Sequence, residues 1–516
     1  MFNNYLEIYK KFSDSYFDSI KQQSEYFNNL KINNLNQNIS NLNNTNNSNF
    51  NIDKLAKENF EHMLKFMVFS LKQAKDANDT NNYFLLNNDA QRKALDTNYQ
   101  SIYNGMRNFL KDMQNSSHNG FYLKRKHDSF KIGENIAKTP GEVIYRTEVL
   151  ELIAYNTKSD TAYKIPTLFI PATINKYYVL DLSENNSLIN YIVQNDLQAF
   201  CISFNNDKNL KYSFEDCVYE IINVINFLLD FCNVKKVNIL GYCLGGVLAS
   251  VTSYLIKDKI NSLTFLNTGL DYAEKADFEF FVNKSLLPVL KATGNYNSYM
   301  HGMWLQQLFS FLRSKDTIWK YIQNNYLHGN EPFLSDVMYW NDDSTHQSSN
   351  MLLYFLEHIY LDSKLTKKQL VIANKTINLE EIDVPIFYVG CLRDHIVTKE
   401  AILSSYKSFV SKTSNQNNIL CLSGGGHVNG ILNPPTINKG HFWLLNKNNC
   451  NFDTFCLDKL DNKDNKDIQK FNGSWWNNWL EWLIKYSGNK INVNVNEKQQ
   501  KTSLCKAPGI YVHKTI

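Results

Sequence analysis

The sequence predicts an α/β fold: a mainly parallel sheet with helices on both faces, an inserted helical cap, and a mostly helical segment in front. Three observations predict it. From residue 139 onward, short β-rich runs alternate with helical stretches. Between the runs at 262–268 and 386–391 lies a mostly helical stretch, too long for one crossover. And "VKKVNILGYCLGGVLASV" (234–251) passes from an apolar β run into a helical pattern through a glycine-flanked turn.

The elements follow in order. Residues 1–30 read as an amphipathic helix. The stretch 33–52 is Asn-rich and low in complexity, which suits a flexible connector. From 53 to 115 apolar residues recur at helical spacing, as in "FEHMLKFMVFSLKQA" and "IYNGMRNFLKDM". Residues 1–138 are therefore expected as a mostly helical N-terminal domain, and 139–516 as an α/β domain. In the second part "TLFIPA" (167–172), "QAFCISF" (198–204), "VNILGY" (237–242), "SLTFLNT" (262–268), "IFYVGC" (386–391) and "NNILCLSGG" (417–425) read as buried strands. The cap is expected near 270–350, over the C-terminal edge of the sheet. In the last helix, "GSWWNNWLEWLIKYSG" (473–488), the tryptophans at 475, 476, 479 and 482 share one face, which is expected to pack on the sheet.

Composition narrows the function classes. At about 150 residues per domain, 516 residues suggest roughly two to four units, and 43% hydrophobic residues suffice for a sizeable core. The net charge of +4 is small and both signs are interspersed, so nothing marks a nucleic-acid binder. Nine scattered cysteines without a CxxC pair or metal-ligand spacing suit a reducing cytoplasm, and no metal is expected. No apolar run reaches the roughly 18 residues of a transmembrane helix, and the N-terminus lacks a signal-peptide core. The expectation is a cytoplasmic protein.

The chemistry starts at Gly241-Tyr242-Cys243-Leu244-Gly245-Gly246. Strand, sharp turn and helix form the context of the G-x-S-x-G nucleophile elbow, with cysteine in the serine position. The helix N-terminus and the Leu244 amide favour negative charge, so they suit a thiolate and an oxyanion. Alone, the motif reads equally well as a buried cysteine before a helix. A thiol nucleophile also needs a base and an orienting group. Asp394 follows the strand run 386–391, and His427 follows the run 417–425 in "SGGGHVNG", which is the chain order of an α/β-hydrolase triad. A capping aspartate and a loop histidine are the bland alternatives. Agreement of order, strand context and glycine environment at three sites argues for the triad. His395, beside Asp394, lies too close in sequence to pair easily with it and reads as structural. Asn175 and Lys176 follow the strand 167–172, where the second oxyanion amide usually originates, so Asn175 is a candidate substrate contact. Tyr242, beside the nucleophile, is another, with packing as its alternative. A thiolate attacks thioesters readily, and its own acyl thioester stays level in energy with the substrate, which favours acyl transfer over hydrolysis.

These residues resemble one family, the polyhydroxyalkanoate synthases of the single-subunit type. The resemblance is carried by "FKIGENIAKTPGEVIYR" (130–146), "INKYYVLDL" (174–182), "GYCLGG", "IWKYIQNNYLHGNEP" (318–332), "MYWNDDST" (338–345), "RDHIV", "GGGHVNGILNPP", "GSWWNNW" and "APGIYV" (507–512). It implies an α/β-hydrolase fold and an acyltransferase that polymerises (R)-3-hydroxyacyl-CoA, 3-hydroxybutyryl-CoA being the expected substrate, with release of CoA. By the same resemblance Cys243 is the acylated nucleophile, His427 the base and Asp394 its partner. CoA enters as part of the substrate, and no separate cofactor is implied. A homodimer at the surface of cytoplasmic polyester granules, holding the growing chain, is implied too. The chain departs from the pattern at "PATINK" (171–176), "SFNND" (203–207) and His346. His346 is read as a surface residue of the cap, an approach to the site being the lesser reading. The competing readings are a cysteine thioesterase or polyester hydrolase of the same fold, and a non-catalytic module that binds acyl chains.

Overall fold

Most β-rich runs of the second half are apolar at nearly every position, so each must be covered on both faces. They become one sheet of eleven strands in the computed structural model. It describes residues 65, 67–116, 129–209, 211–272, 274–284, 286–288, 290–292, 299–331, 335–410, 417–446, 460, 468–492 and 495–514. The helix expected at 1–30 and the connector at 33–52 lie outside the described residues. Phe69–Ile516 form one compact unit.

The strands are β1 (Gly141–Arg146), β2 (Leu150–Tyr155), β3 (Thr167–Ile170), β4 (Ala199–Phe204), β5 (Val237–Tyr242), β6 (Ile260–Leu266), β7 (Ile386–Cys391), β8 (Ile419–Ser423), β9 (His441–Asn446), β10 (Ile468–Asn472) and β11 (Cys505–Lys506). Their spatial order is β10-β9-β8-β7-β6-β5-β3-β4-β2-β1-β11. The centre, from β4 to β8, is parallel throughout. Both edges are antiparallel. Every residue of β2, β3, β4, β5 and β7 is buried.

The longer helices are α1 (Asn88–Asp96), α2 (Gln100–Ser116), α3 (Phe214–Cys232), α4 (Leu244–Leu255), α5 (Gly302–Leu312), α6 (Lys399–Val410) and α7 (Trp476–Lys485); α3, α4, α6 and α7 cover the sheet. Helix α3 opens with a reciprocal Ser213–Asp216 capping box and stops at Asn233, which takes the left-handed conformation. Its buried face, Phe214, Cys217, Val218, Ile221, Val224, Ile225 and Leu228, keeps the period of 3.6. The tryptophan face of the last helix is buried, and its indole N–H groups find acceptors. Trp475 donates to the Gly430 carbonyl at 2.9 Å, Trp476 to Ile431 at 2.8 Å, and Trp479 to Thr264 Oγ1 at 3.0 Å. Two of these bonds fix the loop just past His427.

The segment between β6 and β7 supplies the cap. Besides α5 it contains π-helical turns at Lys315–Trp319, Gln323–Leu327 and Phe355–Leu361. Helix α2 packs on it. Asn108 Nδ2 donates to the carbonyls of Asn325 (3.1 Å) and Asn330 (2.8 Å), and the hydroxyls of Tyr321 and Tyr326 both donate to Asp112 at 2.8 Å. The α1–α2 region thus docks on the cap through buried polar groups.

A second set of contacts ties the cap to the loop after β3. Lys176 Nζ pairs with Asp343 Oδ1 at 2.7 Å, and the Tyr178 hydroxyl donates to Asp343 Oδ2 at 2.7 Å. Trp340 Nε1 donates to the Lys176 carbonyl at 2.8 Å. The Lys176 ammonium is 3% exposed, so the ion pair is desolvated and Asp343→Ala leaves an uncompensated buried cation. That substitution is expected to destabilise the protein by about 3–5 kcal/mol, read by denaturant unfolding. A loss under 1 kcal/mol would show that the pair is not needed to hold Lys176.

Candidate active site

Cys243 sits between β5 and α4 with φ 51° and ψ −120°. Such a backbone costs on the order of 1–3 kcal/mol in a residue other than glycine and persists only where its surroundings enforce it. Here the Cys243 amide donates to the Leu266 carbonyl at 2.9 Å, and its carbonyl accepts from Gly246 at 2.9 Å. The flanking glycines are needed for close approach. A Cβ on Gly245 would lie 2.1 Å from the Ile170 carbonyl oxygen, and one on Gly246 would lie 1.9 Å from Thr268 Oγ1. The elbow is therefore pressed against the loop after β3. Leu244 opens helix α4, where first-turn amides have no intrahelical acceptor.

Asp394 and His427 come from the ends of β7 and β8 and meet. His427 Nδ1 lies 2.6 Å from Asp394 Oδ2, with the carboxyl fully buried and the imidazole 7% exposed. The second carboxyl oxygen accepts from the amides of Ile396 (2.8 Å) and Val397 (3.0 Å), so it cannot swing away. Cys243 acts on the same imidazole by charge and by a hydrogen bond. Burial pulls the His427 value down. The Asp394 charge and hydrogen bond, with those of Cys243, outweigh it and push the imidazole up to about 10.

The remaining sequence candidates separate. The Tyr242 side chain is buried, its ring centroid 5.8 Å from that of His427, so it packs against the base. The Asn175 amide donates to Thr345 Oγ1 of the cap at 3.1 Å. Pro171 has no N–H, so Ala172, Thr173 and Ile174 hold the amides between it and Asn175. His395 is not the partner of Asp394. Burial first, with His427 and Arg313 adding to it against Asp394, pushes its imidazole down to about 4, so it is neutral at pH 7. His346 stacks edge-on with Tyr299 and His301, at ring distances of 4.6 and 4.7 Å, within the cap. Among the described residues no group of three or more His, Cys, Asp or Glu is placed to hold a metal.

Two site residues are absent from the sequence reading. Asn267, fully buried at the end of β6 with φ 42°, donates from its amide to the His427 carbonyl and sits 3.2 Å from Cys391 Sγ. It fixes the backbone of the histidine loop. An asparagine closing an apolar strand was the available signal. Tyr272 packs on Tyr360 at a ring distance of 4.9 Å. Burial, then the Cys243 charge, push its phenol well above the usual range.

Comparisons with known proteins give concordant results. Residues 13–192 match the family described as "Poly-beta-hydroxybutyrate polymerase (PhaC) N-terminus", and residues 194–434 match "alpha/beta hydrolase fold". The chain is 30% identical to the poly(3-hydroxyalkanoate) polymerase subunit PhaC of Cupriavidus necator, over 86% of this chain and 75% of that one. It is 29% identical to the subunit of the same name from Rhizobium meliloti, over 88% and 73%. Among solved structures, a monoacylglycerol lipase from Paleococcus ferrophilus is 14% identical with a TM-score of 0.35, covering 54% of this chain and 90% of that one.

Proposed function

Because the chain belongs to the poly(3-hydroxyalkanoate) polymerase family and so polymerises hydroxyalkanoates, we propose that it takes (R)-3-hydroxyacyl units from CoA thioesters, 3-hydroxybutyryl-CoA foremost, onto Cys243. The observation that carries the mechanism is the 2.6 Å contact between His427 and Asp394, beside a thiol held at a strained elbow.

In this reading the Cys243 thiolate, paired with the His427 imidazolium, attacks the thioester carbonyl. The tetrahedral oxyanion is held by the Leu244 amide and by an amide from 172–174, the loop pressed against Gly245. The C–S bond to CoA breaks, and the imidazolium proton leaves with the CoA sulfur. Acylation removes the anion that helped to hold His427 protonated, so the imidazole becomes a base. It takes the proton of a second unit's hydroxyl as that oxygen attacks an enzyme-bound acyl thioester. The ester forms, the sulfur leaves as thiolate, and the imidazolium is restored. Tyr242 packs the base. This chemistry needs neither a metal nor a redox group. No helix among the described residues is long and apolar enough to cross a membrane. A homodimer on cytoplasmic polyester granules completes the proposal.

Product analysis tests it. With 3-hydroxybutyryl-CoA the expected products are polymer and one CoA per monomer consumed. Free 3-hydroxybutyrate without polymer would favour a thioesterase, the second reading, which family membership disfavours.

A further inference from the structure

Two arginines from different segments lie beside the loop that carries His427, without a role in the acyl chemistry. Arg313 follows α5 in the cap, and Arg393 precedes Asp394. Arg313 Nη1 lies 3.5 Å from the point a Cβ on Gly426 would occupy, directly before His427, and the Arg393 carbonyl oxygen lies 3.5 Å from the same point. Each guanidinium is anchored to the protein. Arg313 Nη2 donates to Asp316 Oδ2 at 2.6 Å, and Arg393 Nε donates to the Gly424 carbonyl at 2.6 Å. A guanidinium carries five N–H donors, so donors remain on both. Lys315 and Lys320, both exposed, extend the positive surface outward, with Asp316 shared between Arg313 and Lys320.

A 3-hydroxyacyl group is neutral, so such a rim has nothing to attract on that half of the substrate. All the charge of a CoA thioester lies on the phosphates of its other half. Arginine matches phosphate bidentately. We propose that Arg313 and Arg393 form a clamp for the phosphates of the coenzyme A portion, one arm on the cap and one on the acid loop. The inference rests on the reading of the substrate as a CoA thioester. It implies that the bound nucleotide draws the cap toward the loop that holds Asp394 and His427, and that release of CoA frees this contact before the next unit enters.

The test compares 3-hydroxybutyryl-CoA with 3-hydroxybutyryl-pantetheine, which keeps the whole thioester arm and lacks the phosphates and the adenosine they carry. Arg313→Gln and Arg393→Gln are each expected to raise KM for the CoA thioester about tenfold, the loss of one charge-assisted contact, with kcat within about twofold. The phosphate-free thioester is expected to show no such change. An equal loss on both thioesters means that the arginines merely position the histidine loop, and unchanged kinetics on both means they do nothing; either result overturns the clamp. Calorimetry with free coenzyme A separates this from failure of the polymerase reading. If wild type turned over neither thioester, about tenfold weaker coenzyme A binding by both variants would still support the clamp, and equal binding would overturn it.

Discussion

Cys243→Ala is expected to release no coenzyme A from 3-hydroxybutyryl-CoA, a loss on the order of 10⁶ in kcat, the scale seen when a triad nucleophile is removed. The elbow presents one side chain at the start of α4, and among the described thiols His427 interacts with that one. An alanine keeps the Cβ, and the backbone bonds to Leu266 and Gly246 stay, so folding is expected to be retained. Chromatographic detection of coenzyme A and of acyl-enzyme by mass reads the result. Alkylation gives a second readout. The thiols of Cys201, Cys217, Cys391 and Cys421 are buried, and burial pushes all four up, so they are poor nucleophiles. Cys232 is pushed up to about 12 by the same cause. Iodoacetamide at pH 7 is therefore expected to label Cys243 well before these five. Acylation persisting in the alanine variant would remove Cys243 from the reaction.

The candidate triad was legible because each of its members lies just past an apolar strand. Cys243, Asp394 and His427 follow runs rich in Val, Ile, Leu and Phe, and the parallel sheet then lines up their C-terminal ends. Local pattern sufficed, and the same pattern located the cap by its length. What stayed hidden depends on contacts between segments distant in sequence. Asn267 looks like the end of a strand until its amide reaches the His427 carbonyl. Lys176 and Asp343 lie far apart in the chain and signify only as a pair. The edge strand β10, "IQKFN", is half polar and partly exposed, because an edge needs burial on one side alone, so it carries no apolar run. Asn108 and Asp112 on α2 are polar residues of a helical pattern, and they are buried by the cap's own carbonyls and tyrosines. Asn175 had the right address for an oxyanion donor, but its amide is taken up by Thr345, a contact no spacing reveals.

Asp394→Asn is expected to separate the two halves of the reaction. Asp394 does not touch the thioester; it acts through His427. Its charge and hydrogen bond work against burial to raise that imidazole to about 10. An asparagine removes the charge while burial remains, so the imidazole falls. The asparagine amide also favours the wrong ring tautomer, an effect that costs about 10⁴ in kcat where the same change has been made in a triad. The first acylation keeps its nucleophile but loses the imidazolium that gives CoA its proton, so it is expected to survive only in part, as a slow release of one CoA per active site. Chain growth needs a base that cycles, so steady turnover is expected to drop by roughly 10³–10⁴. Stability follows the same group. The raised imidazole contributes stability that is full below about pH 6.5 and is lost as pH rises through about 10. Wild type is therefore expected to lose melting temperature between these values, and the asparagine variant to lose less. Wild-type turnover in Asp394→Asn would break the assignment of the acid. A variant that lost acylation and turnover equally would mean that Asp394 is needed to form the thiolate, as well as to recycle the base.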